Sequence, residues 1–213
     1  ALSLAVPVTG IAEAVFARGL SSETELRDEA AKQHFAGPQA LFELGDDERK
    51  AFIDDIRHAL YASKIIAYAQ GFNEITAAGK VYDWHIDLAA VARIWRAGCI
   101  IRAEFLDRIS ESFETGQADV SLLFAPYFKK AIEECEASWR RIVATCAAHG
   151  IPDPVFASSL AYFDGLRSTR LPASLIQGQR DLFGAHTYQR VDEPGSFHIL
   201  WAEPGQEEIQ TSK

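Results

Sequence analysis

The chain has 213 residues, of which 48% are hydrophobic and 24% are charged. This composition is typical of a folded globular protein and excludes an intrinsically disordered or collagen-like chain. The formal net charge of −9 disfavours binding to nucleic acid or to anionic lipid, so an anionic ligand would need a local cluster of basic side chains.

No apolar stretch approaches the roughly 20 residues that a membrane-spanning helix needs, and no basic segment precedes an apolar one near the start of the chain. The three cysteines form no C-x-x-C pair, which fits a reducing compartment and indicates packing residues rather than disulfides or zinc ligands: Cys99, Cys135 and Cys146. We therefore expect a cytoplasmic protein without a metal site. Because the chain starts at Ala1 and contains no methionine, we also expect a fragment or a processed product.

Apolar residues spaced by threes and fours predict an all-α fold. The first helix is predicted over residues 9–18, capped by Thr9 and closed by Gly19, which puts Arg18 in its last turn. Ser22 and Glu25 form a capping-box pattern for a second helix that runs to about Ala36. The third helix is predicted from Asp47 to about Ala78; at 1.5 Å per residue it is about 48 Å long and forms the central beam of the domain.

Further helices follow from capping and proline signals. Asp87 is predicted to cap a helix that Gly98 bends before its apolar stripe resumes at Ile100, Ile101, Phe105 and Ile109. Pro126 is predicted to open a helix that ends at Gly150. Pro154 and Pro172 are predicted to start two shorter helices, and the last of these ends near Gly184.

The helical period stops after Gly184, which divides the chain into a helical domain at 1–184 and a tail at 185–213. The tail is predicted to be irregular, although it contains Tyr188, Phe197, Leu200 and Trp201. Because a tail without a core of its own must bury such side chains elsewhere, we expect it to pack on a partner subunit.

Several common functional motifs do not occur in the sequence. It contains no G-x-G-x-x-G, no G-x-x-x-x-G-K-S/T, no G-x-S-x-G and no H-E-x-x-H. Asp83, His85 and Asp87 alternate like metal ligands, but helix capping by Asp87 is the favoured interpretation. Lys64 lies among apolar residues, where a lysine usually extends its stem over apolar surface and keeps its ammonium in water.

The most informative stretch runs from Leu171 to Tyr188 and contains Arg180 and His186. The two side chains lie six positions apart across a helix end that Gly184 allows to turn sharply. An arginine and a histidine presented in this way can bind a phosphate group through charge-assisted hydrogen bonds. The alternative from spacing alone is that Arg180 pairs with a carboxylate and His186 packs under the tail.

The same stretch resembles the C-terminal signature of the 6-phosphogluconate dehydrogenase family. Three further segments resemble the family in the same order: residues 94–102, residues 61–72, and residues 7–9 together with 13–18. The resemblance extends from about residue 2 to residue 201.

Members of this family oxidise and decarboxylate 6-phosphogluconate to ribulose 5-phosphate and reduce NADP, in the pentose phosphate pathway and in gluconate utilization. The resemblance implies that this chain is the helical substrate-binding and dimerisation domain. It also implies that Arg18 contacts the substrate phosphate in one subunit of a homodimer, while Arg180 and His186 reach the same site from the other subunit.

The chain also departs from the family pattern. The amino-terminal Rossmann domain, which mainly binds NADP, has no counterpart in residues 1–213. The general-base lysine and general-acid glutamate have none either, so we expect no catalytic residue in this chain and no turnover by the chain alone. The family pattern F-H-T-x-W-T has lost its hydroxyls at Ile199 and Ala202. The competing interpretation is a non-catalytic helical module that dimerises or binds a sugar phosphate.

Overall fold

A computed structural model describes residues 1–35, 37–38, 43–96 and 105–211. Its contacts divide the chain into two compact units, Ala1–Asp164 and Gly165–Lys213. The described residues are mainly helical, which confirms the predicted all-α class. In this part of the chain, no helix combines the length and the apolar character needed to cross a membrane.

Seven α-helices begin within the described residues of the first unit. They are α1 (Thr9–Ser22), α2 (Thr24–Lys32), α3 (Asp46–Tyr82), α4 (Leu88–Arg96), α5 (Leu106–Glu114), α6 (Pro126–Ala148) and α7 (Pro154–Leu166). The second unit contains α8 (Ser174–Gly184) and two short strands, β1 (Ser196–Ile199) and β2 (Glu208–Thr211).

Helix α3 is the central beam that the sequence predicts, and at 37 residues it is about 55 Å long. Three acidic residues in its first turn, Asp46, Asp47 and Glu48, favour the positive end of the helix dipole. The Glu48 carboxylate also accepts a hydrogen bond from the backbone N–H of Gly45 at 2.9 Å. Both effects explain why the helix begins at Asp46.

The core of the first unit lies mainly between α3 and α6. Small residues on α3 allow the two helices to approach closely, and large apolar side chains fill the remaining space: Ala62, Ala69, Phe72, Phe128 and Trp139. The indole N–H of Trp139 donates to the backbone carbonyl of Phe156 at 3.1 Å, which ties α7 to this core. Cys135 and Cys146 are buried as predicted, whereas Cys99 lies outside the described residues.

The predicted ends of the first two helices were wrong. Thr9 does not cap α1, because Val8 occupies the cap position and Thr9 is already helical. The helix also continues through Gly19 to Ser22, since a helical glycine costs only about 1 kcal/mol and does not end a packed helix. Arg18 therefore lies inside α1, one turn before its end.

The predicted Ser22 capping box was also wrong. Ser22 is the last residue of α1, and its hydroxyl donates to the Gly19 carbonyl at 2.7 Å. Helix α2 begins at Thr24 and ends at Lys32. The predicted end at Ala36 lies outside the described residues.

The later boundary predictions agree better with the structure. Asp87 caps α4, because its carboxylate accepts a hydrogen bond from the Ala90 N–H at 3.0 Å. Pro126 and Pro154 start α6 and α7, while α8 begins two residues after Pro172. The predicted bend at Gly98 and the continuation through Ile100 and Ile101 lie outside the described residues.

The second unit corrects the expectation of an irregular tail. Strands β1 and β2 pair in antiparallel register, with Ser196 opposite Thr211 and Ile199 opposite Glu208. The backbones of Tyr188 and Phe197 exchange two hydrogen bonds of 2.8 Å. Phe197 is buried within this chain, at 3% exposure. We name residues 188–211 the C-terminal hairpin; packing of this segment on a partner subunit stays a prediction.

Candidate functional site

The three predicted phosphate-binding residues lie on two different units of the chain. Arg18 is on α1 of the first unit, while Arg180 is on α8 and His186 follows that helix in the second unit. All three side chains are exposed to solvent. Each unit therefore presents basic side chains that a ligand can reach.

Gln70 fixes the start of the helix that carries Arg18. Its side chain, on α3, is 1% exposed. The amide oxygen accepts a hydrogen bond from the Gly10 N–H at 3.1 Å, and the amide nitrogen donates to the Thr9 hydroxyl at 2.9 Å. Because the first N–H groups of a helix have no partner within it, this side chain satisfies a group that would otherwise be buried without one.

Asp181 organises the second unit. Its side chain is completely buried at the end of α8, and its carboxylate accepts four hydrogen bonds from the segment that follows. Oδ1 accepts from the Thr187 N–H at 3.0 Å and from Nδ1 of His198 at 2.9 Å. Oδ2 accepts from the Ile199 N–H at 3.1 Å and from the indole N–H of Trp201 at 2.9 Å.

These bonds also keep Asp181 ionised. Burial by itself raises the pKa of a carboxyl group, but hydrogen bonds from the Ile199 N–H, His198 and Trp201 outweigh burial and lower the pKa of Asp181 below its ordinary value. An ionised carboxylate can only accept, so the proton on His198 is assigned to Nδ1. Nε2 of His198 is then an acceptor in the neutral ring.

Gln177 connects Arg180 to the segment that carries His186. The guanidinium of Arg180 donates to Oε1 of Gln177 at 3.0 Å, and Nε2 of Gln177 donates to the Thr187 carbonyl at 2.5 Å. Thr187 directly follows His186 and is itself held by Asp181. Arg180 and His186 are therefore supported by one hydrogen-bonded frame.

The turn after α8 does not arise as the sequence predicts. Its left-handed residues are Ala185, with φ of 50°, and Thr187, with φ of 55°, rather than Gly184. Gly184 contributes in a different way, since a Cβ at this position would lie 3.0 Å from Nε2 of His186, closer than an ordinary van der Waals contact. The missing side chain makes room for the imidazole against the end of the helix.

The described residues of the second unit do not neutralise the charge on Arg180. Many described arginines form ion pairs with carboxylates, among them Arg57, Arg96, Arg108, Arg141 and Arg190. Among the described residues of their respective units, no carboxylate lies within ion-pair distance of Arg18 or Arg180. The alternative pairing of Arg180 with a carboxylate is thus replaced by a bond to a neutral amide, and both arginines keep their charge available for an anionic ligand.

An open cavity of about 360 Å³ adjoins the end of α8. Phe183, His198, Leu200 and Trp201 contribute to its lining, together with Asp181. Because Nδ1 of His198 bonds to Asp181, the rest of its ring is directed away from that carboxylate. The buried carboxylate thus fixes both the orientation and the tautomer of an imidazole at the edge of this cavity.

The other candidates from the sequence have structural roles. The ammonium group of half-buried Lys64 lies 5.2 Å from the centre of the Phe105 ring, which is a cation–π contact. Asp87 caps α4 and lies 3.6 Å from Arg93. Within the ranges that the structure describes, no three His, Cys, Asp or Glu side chains are grouped so that they could hold a metal.

The roles of Gln70, Gln177 and Asp181 were not predicted from the sequence. A signal existed for Gln70, a polar residue that directly follows the apolar run from Ile65 to Ala69. No local signal existed for Asp181, because its four donors come from residues up to 20 positions further along the chain.

The described residues contain no dinucleotide site of the Rossmann type. The sheet that they contain is a two-stranded antiparallel pair. A dinucleotide site of the Rossmann type needs parallel strands and a glycine-rich turn that leads into a helix. The sequence contains no G-x-G-x-x-G to form such a turn.

Comparisons with known proteins agree with the resemblance found in the sequence. Residues 1–201 match the family model of the 6-phosphogluconate dehydrogenase C-terminal domain. The chain is 48% identical over 206 residues to the decarboxylating 6-phosphogluconate dehydrogenase of Homo sapiens, covering 96% of this chain and 42% of the human protein. It is also 48% identical over 203 residues to the enzyme of the same name from Staphylococcus epidermidis, covering 95% and 42% of the two chains.

A solved structure gives the same result. The chain is similar to the 6-phosphogluconate dehydrogenase of Plasmodium falciparum, with a TM-score of 0.83 and 38% sequence identity over 92% of this chain and 42% of that one. That enzyme is described in its apo form, with its cofactor NADP+ and with its substrate 6-phosphogluconate. The chain thus spans less than half the length of these relatives.

Proposed function

Because the chain belongs to the 6-phosphogluconate dehydrogenase family, as its C-terminal domain, we propose that it provides substrate-binding residues for the oxidative decarboxylation of 6-phosphogluconate. The full-length enzyme converts this sugar acid to ribulose 5-phosphate and reduces NADP. The observation that carries the proposal is the frame of Gln177 and Asp181, which holds the Arg180 side chain and the backbone next to His186, while no carboxylate among the described residues of this unit pairs with Arg180.

In this proposal, Arg18, Arg180 and His186 bind the phosphate group of the substrate. A phosphate dianion approaches a chain with a net charge of −9, so its binding depends on a local cluster of donors. Each guanidinium can form two parallel hydrogen bonds to phosphate oxygens, and the imidazole adds a further donor.

The three residues come from two chains of a homodimer. Arg18 of one subunit and the Arg180–His186 pair of the other complete each site, and a two-fold axis repeats the arrangement. The C-terminal hairpin then serves the active site of the neighbouring subunit. Because each site takes residues from both subunits, Arg18 can lie on a different unit of the chain from Arg180 and His186.

Other parts of the full-length enzyme supply the remaining functions. We assign NADP binding mainly to an amino-terminal Rossmann domain, and the proton-transferring lysine and glutamate to a segment outside residues 1–213. We therefore expect no turnover by this chain alone. We also place the enzyme in the cytoplasm.

Alanine variants of the full-length enzyme test the proposed site. Arg18→Ala, Arg180→Ala and His186→Ala should each raise KM for 6-phosphogluconate, by about tenfold or more for the arginines, since a charge-assisted hydrogen bond to phosphate is lost. Arg49→Ala and Arg170→Ala are matched controls in the first and second unit, because both side chains are exposed. Unchanged KM values in the site variants would refute the assignment.

A further inference from the structure

Asp181 has a combination of properties that packing alone does not require. It is a carboxylate with 0% exposure, and its two oxygens accept hydrogen bonds from four separate donors. An ionised carboxylate is costly to bury unless such donors compensate it. Two backbone N–H groups and two side chains satisfy it here. All four donors belong to the segment between Thr187 and Trp201.

Asp181 lies between the two proposed phosphate-binding residues of this unit. Arg180 precedes it on α8, and successive residues of a helix point about 100° apart, so an inward Asp181 directs Arg180 outward. On the other side, the carboxylate holds the N–H of Thr187, the residue that follows His186. One buried side chain therefore constrains the backbone next to both basic residues.

The hairpin reinforces the same constraint. Oδ2 accepts from the Ile199 N–H and the Trp201 indole, while Oδ1 accepts from Nδ1 of His198 and from the Thr187 N–H. Gln177 ties the Thr187 carbonyl back to Arg180. The hydrogen bonds thus form a continuous connection from the hairpin through Asp181 to the Thr187 backbone next to His186, and through Gln177 to the Arg180 side chain.

We propose that Asp181 is a positioning residue for phosphate recognition, which sets the separation of Arg180 and His186 without touching the substrate. This inference rests on the proposed function, and it assigns the hairpin as the support that holds Asp181 in place. Its consequence is specific, because loss of the carboxylate should weaken binding of the phosphate group and leave the rest of the reaction little affected.

The chemistry requires an aspartate at this position. An ionised carboxylate offers about four acceptor sites, which matches the four donors. An asparagine of the same size has one acceptor oxygen and would turn its NH2 group toward two donors. Asp181→Asn therefore removes the constraint while conserving the volume of the side chain.

The test measures kcat/KM of the full-length enzyme for 6-phosphogluconate and for gluconate, two sugar acids that differ in the phosphate group. Asp181→Asn should lower kcat/KM for 6-phosphogluconate by about tenfold and leave kcat/KM for gluconate within about twofold of the parent enzyme, since charge-assisted bonds to phosphate are lost. Trp201→Phe removes one donor and keeps an aromatic ring, so it should produce a smaller shift in the same direction. Asp192→Asn is the control, because this exposed carboxylate contacts Arg190 rather than the frame.

The possible outcomes separate this inference from the proposed function. If Arg180→Ala does not lower the preference for the phosphorylated substrate, the proposed function itself fails. If Arg180→Ala lowers the preference but Asp181→Asn reduces both substrates equally, Asp181 has a structural role and the inference is overturned. If Asp181→Asn does not fold, as judged by circular dichroism, Trp201→Phe decides the question, and an unchanged preference in that variant rejects the inference.

Discussion

The side-chain amide of Gln70 holds the backbone of Gly10 across 60 residues of sequence, with 3.1 Å between Oε1 and the Gly10 nitrogen. Both residues are buried, and the same amide donates to Thr9. This contact fixes the start of α1 against α3. The position of Arg18, on the same helix, depends on it.

Gln70→Leu should destabilise the fold by about 1–3 kcal/mol, because the substitution leaves the Gly10 N–H buried without a partner. The expected result is a lower midpoint of thermal unfolding. Gln33→Leu makes the same chemical change at an exposed position just after α2, where the side-chain amide donates to Glu29 at 3.1 Å. Equal midpoints for the two variants would contradict the role given to Gln70.

Gly184→Ala should weaken substrate binding, because the added Cβ would lie 3.0 Å from Nε2 of His186 and displace the imidazole. We expect KM for 6-phosphogluconate to rise about fivefold, which corresponds to ~1 kcal/mol. Steady-state kinetics of the full-length enzyme measure the change. Gly178→Ala is the matched control on α8, since its Cβ would meet nothing within 4 Å; a helical alanine there should leave KM unchanged and raise stability slightly.

Asp153→Asn should stabilise the protein near neutral pH. Burial raises the pKa of Asp153, although its own backbone N–H and the Cys146 thiol partly offset the effect, and Oδ2 has no hydrogen-bond partner. A carboxyl group whose folded pKa is raised is most favourable below its unfolded pKa of about 3.9, and loses that stabilisation as pH rises through the folded pKa. The ionised form is therefore a cost at neutral pH that the amide avoids.

The midpoint of thermal unfolding as a function of pH measures this effect. The advantage of Asp153→Asn should shrink as pH falls from about 7 to about 4. Asp119→Asn, at an exposed site, is the control and should show little pH dependence of its effect. Asp181 has a lowered pKa, so its substitution should behave in the opposite way and cost least at acidic pH. An advantage of Asp153→Asn that grows on acidification would contradict the assignment.

The regular helices could be predicted because their signals are local. The spacing of apolar residues predicts α3, and the positions of Asp87 and Pro126 predict the starts of α4 and α6. The start of α1 could not be predicted in this way. The Thr9 hydroxyl, which resembles a cap, is bound by Gln70 from 61 positions away, and such a contact leaves no trace in the nearby sequence.

In the candidate site, too, residues with a local sequence signal could be predicted, and residues whose contacts are distant in sequence could not. Arg180 and His186 stand out in the sequence because a helix end separates two basic side chains. Asp181, beside Arg180, resembles an ordinary acidic residue until the fold buries it beneath the hairpin. The hairpin itself was missed because its strands have only four residues each, too few to show a clear alternation of apolar and polar side chains.

The central claim is that one phosphate group is bound by Arg18 of one subunit and Arg180 of its partner. The most direct measurement is the activity of mixed dimers, prepared by dissociating and reassociating the Arg18→Ala and Arg180→Ala forms of the full-length enzyme. Each mixed dimer has one site with both native arginines, so random reassociation should restore about a quarter of the parent activity. If both arginines instead serve a site within one chain, every site lacks one of them, and the mixture should remain as inactive as its two components.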